Sequence, residues 1–152
     1  MLLGIDLGTS AMKVMLLDPE TGTFILEREP VTIEQPKPEL AEVDAGSWWA
    51  ALVSILGRLR QVHGQDLNAV QAVGLSTIFP ALIPMDASGT PLRKAILYCD
   101  RRSVTEVDEI GAVFGPGAFE QRTGNQLTPG TCTLPGIVWI RKNEPDIFAA
   151  TH

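Results

Sequence analysis

The sequence predicts an α/β layered domain, and three observations carry that prediction. Short apolar runs separated by turn residues open the chain. An apolar repeat at helical spacing comes next. A further apolar run then leads into a hairpin and several late helical segments.

Residues 2–7 and 12–18 read as strands, with Leu7-Gly8-Thr9-Ser10 as the tight turn between them. Asp18-Pro19-Glu20-Thr21-Gly22 is a second turn, and residues 23–27 read as a third strand, so the opening is an antiparallel meander. The stretch EQPKPEL, residues 34–40, holds two prolines and reads as an extended loop. Asp44 is placed to cap a helix whose Trp48, Leu52, Ile55, Leu56 and Leu59 share one face, with His63-Gly64 as its end. Val70 to Leu75 reads as a buried strand closing on Ser76-Thr77. Residues 80–84 and 95–98 form a hairpin around the turn Asp86-Ala87-Ser88-Gly89. A helix over 105–114 stops at Gly115-Pro116-Gly117, and residues 118–122 add one more helical turn. Residues 124–135 read as a loop rich in Gly, Thr and Pro, and 137–142 and 145–150 as two closing helical segments. No internal repeat interrupts this order.

Composition narrows the function classes. Apolar residues make up 45% and charged residues 20%, which suits a soluble globular chain. A net charge of -6 and a pI near 4.8 argue against nucleic acid and anionic membrane as partners. Cys99 and Cys132 form neither a CxxC pair nor a zinc spacing, and two lone thiols suit a reducing compartment. Asp6 cuts the first apolar run short, which argues against a signal peptide, and no run is long enough to span a membrane. The sequence is read as cytoplasmic.

Asp6 is the first residue that asks for a ligand. It ends an apolar strand beside a glycine turn and two hydroxyls, Thr9 and Ser10. Gly8 lets a phosphate oxygen approach the main chain, the hydroxyls supply donors, and Lys13 adds a positive charge. Asp6 repels phosphate but suits Mg²⁺ held through water. The group reads as a metal-nucleotide site on a β-hairpin, set against the plainer reading of a turn with a capping aspartate. It is neither a Walker loop nor a dinucleotide fingerprint, because the glycine spacing and the following helix are missing.

These residues carry a family resemblance. GIDLGTSAMKVMLLD resembles the first phosphate hairpin of the FGGY carbohydrate kinases, within the actin-like ATPase superfamily. AEVDAGSWWAAL is similar to that family's E-x-D-P-x-x-W entry to its first helix. GLSTIFPALIPMDASGTPLRKAILYCDRRS resembles the central stretch, which runs from a strand ending at the sugar to a W-x-D-x-R segment. TGNQLTPGTCTLPGIVWIRKNEPDIFA is similar to the T-G segment and the helix before an E-P turn. The resemblance covers nearly all 152 residues, in order.

It implies a ribonuclease H-like fold and a two-domain kinase in which ATP and sugar meet in a cleft. Residues 1–152 then correspond to the front part of the first domain, with the rest of that domain and the whole second domain absent. The catalytic base is expected beyond residue 152, so no residue here is assigned that role. The resemblance implies ATP and Mg²⁺ as cofactors, Asp6 as the metal residue, and Gly8, Thr9, Ser10 and Lys13 at the phosphates.

On the sugar side the candidates are Thr77, Phe79, Asp100 and Arg102. Thr77 and Phe79 follow a strand at the edge where α/β sheets place ligands. Many pentulose-kinase relatives have Q-M-H-G there, whereas this chain has T-I-F-P, and Phe79 has simple core packing as its alternative. Asp100 and Arg102 match the D-x-R part, and Tyr98 stands where many members have tryptophan. An aspartate accepts two hydroxyls while an arginine clamps it; the alternative is a surface ion pair of little worth. The DRR run also resembles glycerol kinases.

The leading expectation is a fragment of an ATP-dependent kinase for a small sugar, a pentulose such as xylulose. The alternatives are a polyol kinase of the same family and a non-catalytic module that retains the fold. A homodimer is left open for the intact protein. Trp48 and Trp49 read as helix-to-sheet packing, His63 as a solvated helix-end residue, Cys99 and Cys132 as small buried groups, and Asn125 and Gln126 as loop residues with a weak link to the cleft.

Overall fold

The structure is a computed structural model that describes residues 1–152. It divides into two units, residues 1–33 with 46–78, and residues 34–45 with 79–152.

The first unit is a four-stranded sheet with one long helix. Strands β1 (Leu2–Leu7), β2 (Ala11–Leu17) and β3 (Phe24–Pro30) form the expected antiparallel meander. Strand β3 runs three residues further than its sequence pattern reads, because Arg28, Glu29 and Pro30 stay in register with Lys13, Met12 and Ala11. Asp18 holds the intervening turn by accepting the Glu20 N–H at 2.9 Å and the Thr21 hydroxyl at 2.9 Å. The short strand β4 (Glu42–Val43), which belongs to the second unit, comes next in the chain.

Helix α1 (Ala45–Asn68) begins directly after Asp44. It buries Trp48, Ala51, Ile55 and Leu59, whereas Trp49 stays exposed. Leu3, Met12, Val14 and Leu16 are buried on one face of the sheet. Glu27 and Glu29 share that face by register and bind Arg58 of α1 at 3.1 and 2.7 Å. The expected stop at His63-Gly64 is a kink instead: His63 leaves helical geometry at φ -126° and ψ 36°, and the helix resumes to Asn68.

Strand β5 (Ala72–Thr77) pairs in parallel with β1, giving the order β3-β2-β1-β5. The sequence reads this apolar run as buried, and the structure corrects that: all six residues are exposed, Leu75 at 68%. Its substantial contacts are with β1 alone, so neither face of its side chains has the helix cover that parallel strands normally have. The contrast sets a prediction. Leu16→Ala removes a fully buried side chain and costs about 2–5 kcal/mol, whereas Leu75→Ala costs less than about 1 kcal/mol. Urea unfolding of the two variants checks it, and equal losses overturn it.

In the second unit β4, β6 (Ala81–Leu82) and β7 (Ala95–Leu97) form a small antiparallel sheet in the order β4-β7-β6. The β6–β7 hairpin is the expected one. Asp86 organises its turn by accepting the Ser88 and Thr90 N–H groups at 2.9 Å each, and Gly89 takes φ +80°. The pairing of β4 with β7 has no counterpart in the sequence reading, since two residues are too few to show a period. Helices α2 (Val104–Phe114), α3 (Ala118–Thr123), α4 (Thr133–Asn143) and α5 (Pro145–Ala150) follow. Helix α4 starts four residues earlier than its apolar spacing reads, with Pro135 inside its first turn, where a missing N–H costs nothing. Cys132 is buried at the start of α4 as expected, but Cys99 is exposed, because it lies just past the end of β7. No helix is long and apolar enough to cross a membrane.

Candidate functional site

On the first unit, the polar residues gather on the sheet face opposite Leu3 and Val14. Strand alternation puts Gly4 and Asp6 of β1, Lys13 and Met15 of β2, Leu26 of β3, and Gly74 and Ser76 of β5 on that face. They line a shallow depression of about 470 Å³. Asp6 pairs across the strands with Lys13 and on its other side with Ser76. Lys13 Nζ donates to Asp6 Oδ2 at 3.1 Å, and both side chains are half-exposed, so this pair adds little stability.

The turn next to this pair explains its glycine. Gly8 N–H donates to Ala11 O at 3.2 Å, and a Cβ on Gly8 would lie 2.9 Å from the same oxygen. Gly8 is therefore required by the turn's own backbone. Ser10 is exposed and Thr9 is half-buried. The structure thus brings Asp6 and Lys13 together beside the Gly8-Thr9-Ser10 turn. Ser76 joins them, a residue the sequence reading passed over as a site residue, since only the β1–β5 register puts it beside Asp6. One carboxylate with Oδ1 unused by Lys13 fits the habit of Mg²⁺, which keeps several waters and takes one or two carboxylates plus phosphate oxygens. No group of three His, Cys, Asp or Glu gathers anywhere to form an all-protein metal cage.

On the sugar side, Thr77 ends β5 in the first unit, while Phe79, Asp100 and Arg102 belong to the second. Phe79 is 86% exposed, which removes the core-packing alternative for it. Asp100 is 1% exposed, and the Arg102 side chain is 4% exposed, so the surface ion-pair alternative is also removed. Asp100 Oδ1 accepts the Arg102 N–H at 2.9 Å and Nε at 2.8 Å. Oδ2 accepts the Ala41 N–H at 2.7 Å and Arg102 Nη2 at 2.7 Å. A carboxylate has about four acceptor positions, and these four bonds occupy them. Asp100 therefore holds its own loop, and the reading that gave it two sugar hydroxyls finds its oxygens already taken. Burial pushes the Asp100 carboxyl up, but the Arg102 guanidinium and the Ala41 and Arg102 N–H groups outweigh it, leaving it below the ordinary carboxylate range. Burial likewise opposes the charge on Arg102, and Asp100 and Glu42 overcome that, raising it.

The loop next to Asp100 is clamped by a further residue that the sequence reading missed. Gly130 has φ +78°, and a Cβ there would lie 2.6 Å from Asp100 O and nearer still to Tyr98 O. A Gly-Thr-Pro loop announces turns in general; only the fold shows which glycine is pressed against the 98–100 backbone.

Comparison with known proteins shows the family. The model of the FGGY family of carbohydrate kinases, N-terminal domain, matches residues 1–152. The chain belongs to the FGGY family.

This FGGY chain is 34% identical to a xylulose kinase of Escherichia coli (strain K12) over 148 residues, covering 97% of the chain and 30% of the relative. Among solved structures, a xyloylose kinase from Brucella ovis superposes with a TM-score of 0.89 at 34% identity, over 99% of this chain and 30% of that one. The xylulose kinase from Rhodospirillum rubrum gives 0.91 at 29% identity, over 99% and 30%. The mixed α/β architecture is accordingly the actin-like fold of FGGY sugar kinases. The chain spans about 30% of the length of these relatives.

Proposed function

We propose that this FGGY chain supplies the phosphate hairpin and part of the sugar side of an ATP-dependent kinase for a small sugar, a pentulose such as xylulose. The observation that carries the proposal is the register-built grouping of Asp6, Lys13 and Ser76 beside the Gly8-Thr9-Ser10 turn. The xylulose kinase names of its relatives support the sugar class. In this reading Gly8, Thr9, Ser10 and Lys13 border the phosphates, and Asp6 holds Mg²⁺ through water. Bound Mg²⁺ supplies charge neutralisation to the transferring phosphoryl group. On the sugar side Thr77 and the exposed Phe79 face the substrate, and Asp100 with Arg102 keeps the neighbouring loop in place. The chain acts as the front part of the first domain, a view supported by the uncovered strand β5 and by relatives about three times longer. The base is assigned to the remaining length of the kinase, and the cytoplasm is its expected compartment.

The test is transfer from Mg-ATP by the full-length kinase to a panel of ketoses and polyols. Transfer to a pentulose supports the proposal, transfer to glycerol alone favours the polyol reading, and transfer to none overturns both in favour of a non-catalytic module. Within that assay Asp6→Asn lowers kcat by well over tenfold with the fold retained. A loss within about threefold, under roughly 1 kcal/mol of barrier, returns Asp6 to a turn residue.

A further inference from the structure

Asp100 and Arg102 are one end of a longer chain of charges inside the second unit. Glu42 Oε1 accepts from Arg102 Nη2 at 2.7 Å and also from Arg93 Nη2. Arg93 Nη1 donates to Glu144 Oε2 at 2.7 Å. The Trp139 ring lies under both guanidinium groups, 4.9 Å from Arg102 Cζ and 5.9 Å from Arg93 Cζ. The Arg93 side chain is 9% exposed and Glu42 is 14% exposed, so these charges have little water to fall back on. Arg93 bridges Glu42 and Glu144, and Arg102 bridges Asp100 and Glu42. Displacing Arg93 removes the bond to Glu144 and leaves Glu42 with Arg102 as its remaining cation, so a loss at one pair is felt at the next and the chain acts as a unit.

Its far end is the loop after β7. Leu97 N–H donates to Ala41 O at 3.0 Å, Asp100 Oδ2 accepts the Ala41 N–H, and Arg101 N–H donates to Glu39 O at 2.8 Å. Asp100 thus anchors the middle of a stretch whose neighbours, Tyr98 and Arg101, are exposed. Glu144 lies at the other end, at the joint between α4 and α5. We propose that Arg93 and Glu144 are positioning residues for the stretch Tyr98–Arg101, acting through Glu42, Arg102 and Asp100. Its bearing on sugar binding rests on the functional reading above; the mechanical coupling does not. An arginine is required at residue 93, because a planar guanidinium reaches two carboxylates at once while stacking on Trp139, and an ammonium does not.

Amide exchange on the full-length kinase tests the coupling. Arg93→Met raises exchange at the Leu97 and Arg101 amides by about tenfold or more, while the Val107 amide of α2 and the Gly115 amide that caps it keep their protection. Arg93→Lys fails to restore it, and the Trp139 indole resonance shifts in both variants. Unchanged protection at Leu97 and Arg101 overturns the proposal, as does an equal rise at Val107 and Gly115, which marks general loosening. If Arg93→Met does not fold, Glu144→Gln keeps the shape of the joint and is judged by the same two amides. In the full-length kinase, Arg93→Lys raises KM for the ketose by about tenfold and leaves KM for ATP unchanged. An active kinase with unaltered ketose KM overturns the sugar side of the coupling. A wild-type kinase that transfers to no sugar defeats the functional reading instead, and the exchange result stands apart from it.

Discussion

Asp100→Ala destabilises the second unit by about 3–5 kcal/mol, the range for breaking a buried ion pair from one side. The alanine takes away the acceptor of four N–H groups at once. It leaves the Arg102 guanidinium buried with Glu42 as its remaining partner, and leaves the Ala41 N–H without its acceptor. A loss of that size is a large part of the stability of an ordinary domain. Urea unfolding read by amides of the second unit measures it, and a loss under about 1 kcal/mol makes the pair dispensable. The same carboxylate gives a pH signature. Its folded value lies below the ordinary 3.8, so the stabilisation is complete above about pH 4 and drains away as pH falls through the folded value. Asp100→Asn keeps the shape but removes the titration, so stability falls at neutral pH and the acid limb flattens. An unaltered acid limb in that variant assigns the pH dependence to other carboxylates.

Gly130→Ala carries a comparable loss by a different route. The added Cβ would meet main-chain atoms, with the Tyr98 carbonyl carbon at 2.8 Å and Asp100 O at 2.6 Å, so no side-chain rotation relieves the clash. The positive φ adds strain of its own. The loop must withdraw from residues 98–100, at about 3 kcal/mol or more. Gly124→Ala is the internal control, since Gly124 also has positive φ but would place its Cβ in open space. There the backbone term acts alone, at about 1 kcal/mol. Equal effects at the two glycines would refute the close-approach account of Gly130.

Much of the fold was legible because it is local. The meander of β1 to β3 follows from apolar runs and the turns at Gly8 and Asp18, and the β6–β7 hairpin from the Asp86 turn. Helices α2 and α3 end at glycines with positive φ, Gly115 and Gly124, as glycine-rich stops announce. Misreadings arose where the answer lay in another part of the chain. Leu75 has the composition of a buried strand residue, yet exposure is set by what packs on it, and β5 has a neighbour on β1 alone. His63-Gly64 is a good helix ending, but the chain resumes helical geometry beyond it, so a kink takes the place of a stop.

The site divides along the same line. By itself the sequence determined that a carboxylate, a glycine, two hydroxyls and a lysine lie within eight residues of one another on a hairpin, because a hairpin is written in contiguous residues. It also determined the family, through motifs in a set order. Tertiary structure alone decided that Ser76 stands beside Asp6, since that needs the parallel register of strands about 70 residues apart. It alone decided that Asp100 faces inward, that its four acceptor positions are filled, and that Glu42, Arg93, Trp139 and Glu144 gather behind it. Charge says nothing about direction: Asp100 and Arg102 read as sugar ligands or as a surface pair, and the buried anchor emerges only once the donors around them are in place. Ion-pair partners are chosen by distance in space, and the partners of Asp100 and Arg102 include residues some 60 positions away.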